Sequence, residues 1–279
     1  MITLKTRMNN IVQRTLSGIV FVAAIIGALL GGPLSFFLLF AFLTGWSVHE
    51  FYSLMAANGA QLNRPVGITA GTLLFGIFFL TAGGYIPSSM LWTVLLLPLI
   101  IGITEIYRNK QQPLQNLAYT LAGLIYPALM LSMLSYLYFF PGAQTNHHPT
   151  LVIGLFILIW THDTFAYLIG KRLGRHKLFE RISPKKTWEG LLGGLIFSLL
   201  AAYLLSRYHP GIAMVHWMAL GMLASGMGTL GDLFESLIKR AIGAKDSGQL
   251  IPGHGGILDR LDAGLFVFPS AFLYLSLVS

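Results

Sequence analysis

The sequence predicts an all-α, polytopic integral membrane protein with about nine transmembrane helices. The mean hydropathy is +0.70, and only 10% of the residues are charged, against roughly 25% in an average soluble domain. Apolar runs near or above about 18 residues, enough to cross a bilayer, recur along the chain. The basic residues are confined almost entirely to alternate loops between these runs, as is typical of helical membrane proteins.

Nine apolar stretches are candidate spans. In chain order they are 15–31, 33–56, 66–84, 89–107, 116–140, 150–170, 188–206, 212–231 and 261–279. The first two together form about 42 residues, or roughly 63 Å of helix, about twice the thickness of a bilayer core. Gly31-Gly32-Pro33 is therefore predicted to be a turn. The first stretch lacks a small-residue cleavage pattern, so we expect a retained span rather than a signal peptide.

The positions of Lys and Arg predict the topology. If the N-terminus with its three basic residues is cytoplasmic, only Arg207 among the 18 Lys and Arg residues falls on the opposite side. The C-terminus then lies opposite the N-terminus. We expect an integral protein of the bacterial inner membrane, with its functional site facing the cytoplasm. An excess of basic residues can also indicate nucleic-acid binding, but here their placement in membrane loops explains it, and no nucleic-acid partner is expected.

The acidic residues divide the chain into two regions. Eight of the ten lie after residue 160, near the cytoplasmic ends of spans or in cytoplasmic loops. Residues 1–149 are therefore predicted to be a scaffold of five spans, and residues 150–279 a catalytic region of four spans. Glu50 and Glu105, the two acids of the scaffold, are expected to have structural roles in interfaces or buried pairs near helix ends.

Two carboxylate pairs flank the segment that precedes the last span. In a helix Asp232 shares one face with Glu235, Ser236 and Lys239, and the spacing of Asp259 and Asp262 gives them a common face as well. A solvated helix end with ion pairs would also explain the first group. Carboxylates at the hydrocarbon boundary are costly, however, so a bound cation is the better explanation for both pairs.

Mg²⁺ is the expected ion. It prefers oxygen ligands and commonly uses one or two protein carboxylates together with substrate phosphates. Zinc is disfavoured because the chain has no Cys and no HExxH motif. Between the two pairs lies Pro252-Gly253-His254-Gly255-Gly256, where glycines would allow backbone N–H groups to approach an anion. Any tight loop uses glycine, so this stretch alone is weak evidence for phosphate binding.

A second polar segment, GKRLGRHKLFERISPKKTWEG at residues 170–190, faces the same predicted side. Contact with anionic lipid heads would explain its charge, but not the donor-rich turn Ser183-Pro184-Lys185-Lys186-Thr187. With Asp163, about seven residues inside the preceding span, this turn is predicted to form a polar cavity open to the cytoplasm. The expected occupant is a multiply phosphorylated substrate with a metal. The Walker pattern GxxxxGK[ST] is not present, which disfavours a P-loop site.

Residues 236–262, SLIKRAIGAKDSGQLIPGHGGILDRLD, resemble the signature of the phosphatidate cytidylyltransferases, or CDP-diacylglycerol synthases. In that signature a serine is followed by Lys-Arg, Lys-Asp, His-Gly-Gly and Asp-Arg-x-Asp, and all these positions are filled here. DTFAYLIGKRLG and SPKKTWEG are similar to other recurring stretches of the family, so the detailed likeness covers about residues 160–264. The N-terminal spans resemble the family only as hydrophobic helices.

The resemblance implies a Mg²⁺-dependent enzyme that converts CTP and phosphatidic acid to CDP-diacylglycerol and pyrophosphate, with membrane lipids around it, a possible second cation and a homodimeric assembly. The implied metal ligands are Asp232, Asp259 and Asp262, with Asp246 in reserve. The implied catalytic residues are Asp232, Lys245, Asp246, His254 and Arg260. The implied substrate-binding residues are Asp163, Ser183, Lys185, Lys186, Lys239, Arg240, Gly255 and Gly256.

Two other classes of protein remain as alternatives. CDP-alcohol phosphotransferases also use an aspartate-rich helix end, but their pattern continues to two further aspartates, whereas Ala263-Gly264 is followed here by LFVFPS. A transporter would explain the spans and polar groups, but its ionisable residues would more naturally lie near the bilayer midplane. Binding without turnover would favour the transporter.

Overall fold

The computed structural model describes residues 2–140, 147–209, 211–251, 253 and 255–278. Ten α-helices form most of this chain. They are α1 (Ile2–Leu30), α2 (Pro33–Ala57), α3 (Arg64–Ala82), α4 (Leu96–Arg108), α5 (Pro113–Gly123), α6 (Met130–Tyr138), α7 (Pro149–Leu173), α8 (Trp188–Tyr208), α9 (Met214–Ala241) and α10 (Leu258–Val278). A 3₁₀ segment, Ser88–Leu95, leads into α4, and a π-helical segment, Leu124–Leu129, joins α5 to α6. The predicted all-helical membrane architecture is therefore confirmed in its main feature.

Seven helical segments among the described residues are long and apolar enough to cross a membrane. The chain is thus an integral membrane protein, but seven is fewer than the nine spans predicted. The apolar part of α1, Thr15–Leu30, is short for a bilayer core. Helix α9 is 28 residues long, which is enough to cross a bilayer, but its hydropathy is too low. It carries several Gly, Ser and Thr residues and a charged C-terminal end.

Proline and glycine define several helix boundaries. Helices α2, α3, α5 and α7 each have a proline in the first two positions, where its fixed φ is favourable and its missing N–H costs nothing. The predicted turn at Gly31-Gly32-Pro33 is confirmed, with φ of +99° at Gly32, a conformation that favours glycine. In the fifth predicted span, Pro127 lies within the π-helical segment, since it cannot donate the regular helical hydrogen bond.

The chain also contains a β-hairpin that the all-α prediction missed. Strand β1 (Lys177–Phe179) pairs antiparallel with β2 (Ser183–Thr187), with Lys177 opposite Thr187 and Phe179 opposite Ser183. Ser183–Thr187, predicted to be a turn, is therefore mostly a strand. Its last residue, Thr187, caps α8 by accepting a hydrogen bond from Gly190 N at 3.2 Å.

Polar and aromatic contacts gather the loops at two opposite ends of the bundle. At the basic end, Arg108 Nη2 donates to the carbonyl of Leu62 at 3.1 Å. At the other end, the Tyr138 hydroxyl donates to the carbonyl of Leu29 at 3.4 Å, and His216 Nδ1 lies 3.0 Å from the Tyr274 hydroxyl. These contacts bring the loops near Leu62 and Arg108 together, and separately those near Leu29 and Tyr138.

Glu105 has the structural role predicted for it. The side chain is 7% exposed and forms an ion pair with Arg108 at 2.6 Å. It also accepts a hydrogen bond from Asn116 Nδ2 at 3.0 Å, which ties α4 to α5. The buried-pair prediction for this scaffold carboxylate is confirmed.

Small residues bring the helices of the C-terminal half into close contact. A Cβ atom on Gly190 of α8 would lie 2.7 Å from the carbonyl of Ala166 on α7. A Cβ atom on Gly231 of α9 would overlap the carbonyl of Asp262 on α10. Membrane helices use small residues in this way to let their backbones approach. The second contact brings Asp232 of α9 next to the polar start of α10.

Candidate active site

A cavity of about 810 Å³ lies between the hairpin and helices α7, α8, α9 and α10. It opens at the basic end of the bundle. Its charged lining residues are Asp163, Lys171, Lys177, Lys185, Lys186, Asp232, Lys239, Asp246, Asp259, Arg260 and Asp262. The structure thus brings the residues 163–187 and 232–262, predicted separately as two polar segments, to one polar cavity.

Three carboxylates form an acidic wall of this cavity. Asp163 comes from α7, Asp232 from α9 and Asp262 from α10. They lie close enough for mutual electrostatic repulsion. A wall of this kind requires neutralisation by cations.

Asp232 is held by two neighbours. Lys186 Nζ of β2 lies 2.7 Å from Asp232 Oδ2, and Ser236, one turn further along α9, donates its hydroxyl proton to Oδ1 at 3.3 Å. The hairpin therefore supplies a cation directly to the acidic wall.

Lys239 forms the centre of a buried ionic cluster. Its Nζ lies 2.6 Å from both Glu235 Oε2 and Asp259 Oδ1, and its side chain is only 10% exposed. Lys239 was predicted to contact substrate, but two carboxylates already share its charge. The other oxygen of Glu235, Oε1, is buried without a hydrogen-bond partner among the described residues.

Asp259 has internal partners for both of its oxygens. Besides Lys239, it accepts hydrogen bonds from Ser247 N at 2.9 Å and from Gly256 N at 2.8 Å. A Cβ atom on Gly255 would lie 2.7 Å from Asp259 Oδ2. Asp259, expected to be a metal ligand, thus holds the loop that precedes α10. Gly255 and Gly256, expected to approach a phosphate, instead make room for this carboxylate and direct an N–H to it.

Three lysines at the rim of the cavity take part in none of the ion pairs within the described ranges. Lys171 lies in the last turn of α7, with its Nζ 5.8 Å from the centre of the Tyr167 ring. Lys177 lies in β1 and Lys185 in β2. All three are exposed. They are therefore available to bind an anion.

Several predicted residues lie outside the cavity lining. Ser183 is a half-buried hairpin residue, Lys245 is exposed, and Arg240 donates to the carbonyl of Ala244 at 3.0 Å. Asp246 and Arg260 do line the cavity. His254 lies outside the described residues, as does Pro252.

Sequence reasoning did not single out several of the lining residues. Lys171 and Lys177 were counted within the basic segment without being singled out, although the approach of Gly170 to Gly190 and the hairpin bring them to the cavity. His162 and Thr229 form a buried contact of 3.0 Å between Nε2 and Oγ1 and also line the cavity. In the sequence, only the closeness of His162 to Asp163 and of Thr229 to Asp232 indicated that they belong to the site.

The donor set of the acidic wall fits Mg²⁺. Three carboxylates share one cavity, and a hard divalent ion prefers such oxygen ligands. No three His, Asp or Glu side chains in the described chain form a metal cage by themselves. Mg²⁺ does not need one, because substrate phosphates and water commonly complete its coordination.

Comparison with known proteins agrees with this geometry. The Cytidylyltransferase family matches residues 12–278. This chain belongs to the cytidylyltransferase family. The match covers the scaffold helices as well as the cavity, so the family likeness extends beyond the part of the chain that carries the signature.

Named relatives span nearly the whole chain. The phosphatidate cytidylyltransferase of Staphylococcus aureus strain COL is 32% identical over 258 residues, which cover 92% of this chain and 95% of the relative. The phosphatidate cytidylyltransferase of Staphylococcus haemolyticus is 32% identical over 259 residues, with the same coverage of both chains. The enzyme of that name from Staphylococcus epidermidis strain RP62A is also 32% identical over 259 residues, 92% of this chain and 95% of the relative. These likenesses agree with the family assignment.

Proposed function

We propose that this chain transfers CMP from CTP to phosphatidic acid, forming CDP-diacylglycerol and pyrophosphate. The observation that carries this proposal is the cavity, which combines three carboxylates on one wall with lysines on the hairpin and the end of α7. The reaction joins two polyanions at a membrane surface, so it needs both a metal site and fixed cations. Family membership supports the reaction type.

The lysines of the cavity bind and orient the two substrates. Lys171, Lys177 and Lys185 neutralise the triphosphate and the phosphate of the lipid, while Lys186 pairs with Asp232. A phosphate oxygen of phosphatidic acid then attacks the α-phosphorus of CTP, and the bond from this phosphorus to the pyrophosphate oxygen breaks. No protein nucleophile is needed, since positioning and charge stabilisation account for the catalysis.

Asp232 and Asp262 are the proposed Mg²⁺ ligands, with Asp163 and Asp246 close by in the same cavity. When bound, the ion supplies positive charge that stabilises the phosphate oxygens during transfer. Asp259 and Lys239 stabilise the loop beside this site, because each already has buried ionic partners. Arg260 lines the cavity and is a phosphate-contact candidate.

The proposal includes the membrane arrangement. The nine stretches predicted from the sequence cross the inner membrane of a bacterial cell, with the N-terminus and the cavity on the cytoplasmic side and the C-terminus opposite. The asymmetry of Lys and Arg supports this orientation. Residues 1–149 act as scaffold and residues 150–279 carry the chemistry. A homodimer is implied by the resemblance alone, and a mass measurement in detergent tests it.

A label-transfer experiment tests the reaction. Purified protein is given Mg²⁺, phosphatidic acid and CTP labelled at the α-phosphate, and the lipid extract is counted. We expect α-label in lipid and γ-label in pyrophosphate, and we expect a chelator to abolish the transfer. A lipid kinase would carry γ-label into lipid instead. Recovery of γ-label in lipid, or no labelled lipid from folded protein, would overturn the proposal.

A further inference from the structure

The loop before α10 is held from both sides by buried carboxylates. Asp259 of α10 binds it from the cavity side, through Ser247 N and Gly256 N. On the other side lies Glu50 of α2, which is 3% exposed and belongs to the N-terminal half of the protein. The signature segment is therefore in direct contact with the scaffold.

Glu50 accepts four hydrogen bonds from described residues. Trp46 Nε1 donates to Oε1 at 3.0 Å and Ile257 N to the same oxygen at 3.1 Å. Leu258 N donates to Oε2 at 2.8 Å and the Ser247 hydroxyl at 3.2 Å. Three of these donors lie about 200 residues further along the chain.

Two of the bonds satisfy backbone N–H groups at the start of a helix. The N–H groups of Ile257 and Leu258 stand at the N-terminal end of α10, where helical N–H groups lack partners within the helix. A neighbouring side chain usually caps such groups, but neither Gly256 nor Ile257 has a side-chain acceptor. The carboxylate of Glu50 takes that role from another helix, and its negative charge also suits the positive end of the helix dipole.

Glycines of the signature segment make this contact possible. A Cβ atom on Gly248 would overlap Glu50 Oε1, and a Cβ atom on Gly256 would overlap Glu50 Oε2 and the Ser247 hydroxyl. Side chains at these positions would push the loop away from α2. Close approach to a carboxylate of the scaffold thus explains both glycines.

The contact controls where the catalytic end of α10 lies. Leu258 is the first residue of α10, and Asp262 follows about one helical turn later, facing Asp232 across the contact with Gly231. We propose that Glu50 is a positioning residue of the transfer site: it fixes the start of α10 and, through it, the location of Asp262 relative to Asp232. This inference rests on the proposed function.

The test compares Glu50→Gln with Glu105→Gln. Both side chains are buried scaffold carboxylates, but the partners of Glu105 among the described residues, Arg108 and Asn116, lie within the scaffold. In Glu50→Gln one of the two oxygens becomes an NH₂ donor, so either Ile257 N or Leu258 N loses its acceptor. We expect faster hydrogen exchange in peptides spanning residues 247–262. We also expect about tenfold weaker Mn²⁺ binding by electron paramagnetic resonance, and about a tenfold higher Mg²⁺ concentration for half-maximal turnover.

Glu105→Gln should leave all three measurements within about twofold of wild type, since small effects are usual for distant sites. Equal losses in the two variants, or unchanged exchange and Mn²⁺ affinity in Glu50→Gln, would overturn the inference. If Glu50→Gln does not fold, Ser247→Ala removes one hydrogen bond to Glu50, and faster exchange at residues 257–262 is then expected. Unchanged exchange in that variant would overturn the inference as well.

Failure of the proposed function gives a different result. If wild-type protein yields no labelled lipid, the transfer reaction is wrong, whereas hydrogen exchange and Mn²⁺ binding still report on Glu50. If the wild type transfers label and Glu50→Gln matches it in every measurement, only the positioning role is wrong.

Discussion

Three aspartates of α9 and α10 differ in the partners that surround them. Asp232 and Asp262 line the cavity, with Lys186 as the cation next to the first. Asp259 is 7% exposed at its side chain and is paired with Lys239. We therefore expect identical side chains to contribute differently, two to the proposed chemistry and one to the stability of the loop.

Asp232→Asn and Asp262→Asn keep the side-chain shape but remove a charged ligand. We expect each to lower turnover on the order of 100-fold while the protein remains folded. The double variant should lose much less than the product of the single losses, because groups that serve one ion act as a unit. Glu180→Gln, an exposed acid of the hairpin turn outside the cavity lining, is the matched control in the label-transfer assay. Near-normal turnover in either single variant would contradict the metal site.

Asp259→Asn should act mainly on stability. It removes one of the two carboxylate partners of Lys239 while Glu235 stays paired with that lysine, so we expect a loss of about 1–3 kcal/mol from the weakened charge-assisted hydrogen bonds. Adding Lys239→Met should deepen the loss, because buried Glu235 would then lose its cation; denaturant unfolding in detergent micelles measures both variants. A variant with unchanged stability and abolished Mn²⁺ binding would instead make Asp259 a metal ligand, as the sequence first indicated.

At the scale of elements, the cavity depends on close contacts between helices and on one hairpin. Helix α9 meets α10 where Gly231 faces the carbonyl of Asp262. The hairpin carries Lys177, Lys185 and Lys186 to the open end of the cavity. The catalytic groups are thus positioned by backbones that approach unusually closely.

Gly231→Ala should separate α9 from α10. The added Cβ would overlap the carbonyl of Asp262 and lie 3.2 Å from Ala263 Cα, so backbone atoms must move, at a cost of about 1–3 kcal/mol. We expect turnover to fall about tenfold, because misplaced catalytic groups are inefficient. Gly226→Ala, on the same helix, has nothing within 4 Å of its added Cβ. That control should leave the free energy of unfolding unchanged or raise it by up to about 1 kcal/mol. An equal effect of both substitutions on turnover would contradict the proposed role of the contact between α9 and α10.

At the scale of the whole molecule, the loops form two ends with different composition. The end that carries the cavity contains the basic loops. At the other end lie Leu29, Tyr85, Phe139 and Tyr274. The rings of Tyr85 and Phe139 are in contact there, with centroids 6.1 Å apart. This asymmetry predicts that the basic loops face the cytoplasm.

Cysteine labelling tests this orientation, since the chain has no cysteine of its own. Gln249→Cys lies in the exposed loop near the cavity, and Ser88→Cys is exposed at the opposite end. In intact cells, an impermeant thiol reagent should label the Ser88 position and not the Gln249 position. The reverse pattern, or equal labelling of both from one side, would overturn the topology. Gln144, in the same predicted outer loop as His147 and His148, lies outside the described residues.

Much of the fold could be predicted because its causes are local. Long apolar runs require helices in a bilayer, where each backbone polar group must bond within its own segment. The turn at Gly31-Gly32-Pro33 follows from the chemistry of those residues alone. The hairpin was missed because its strands are only three and five residues long, too short for a periodic signal, and their pairing depends on contacts with α8.

The sequence by itself determined the membrane class, the alternation of basic loops, the family resemblance and the collection of polar residues that forms the cavity. Only the tertiary structure decided which of these polar residues face the cavity. Lys239 and Asp259 neutralise each other, Lys171 and Lys177 reach the rim, and Glu50 caps a helix about 200 residues away. The physical reason is that a charge is satisfied by whichever partner lies within about 3 Å in space, and separation along the chain does not specify that distance.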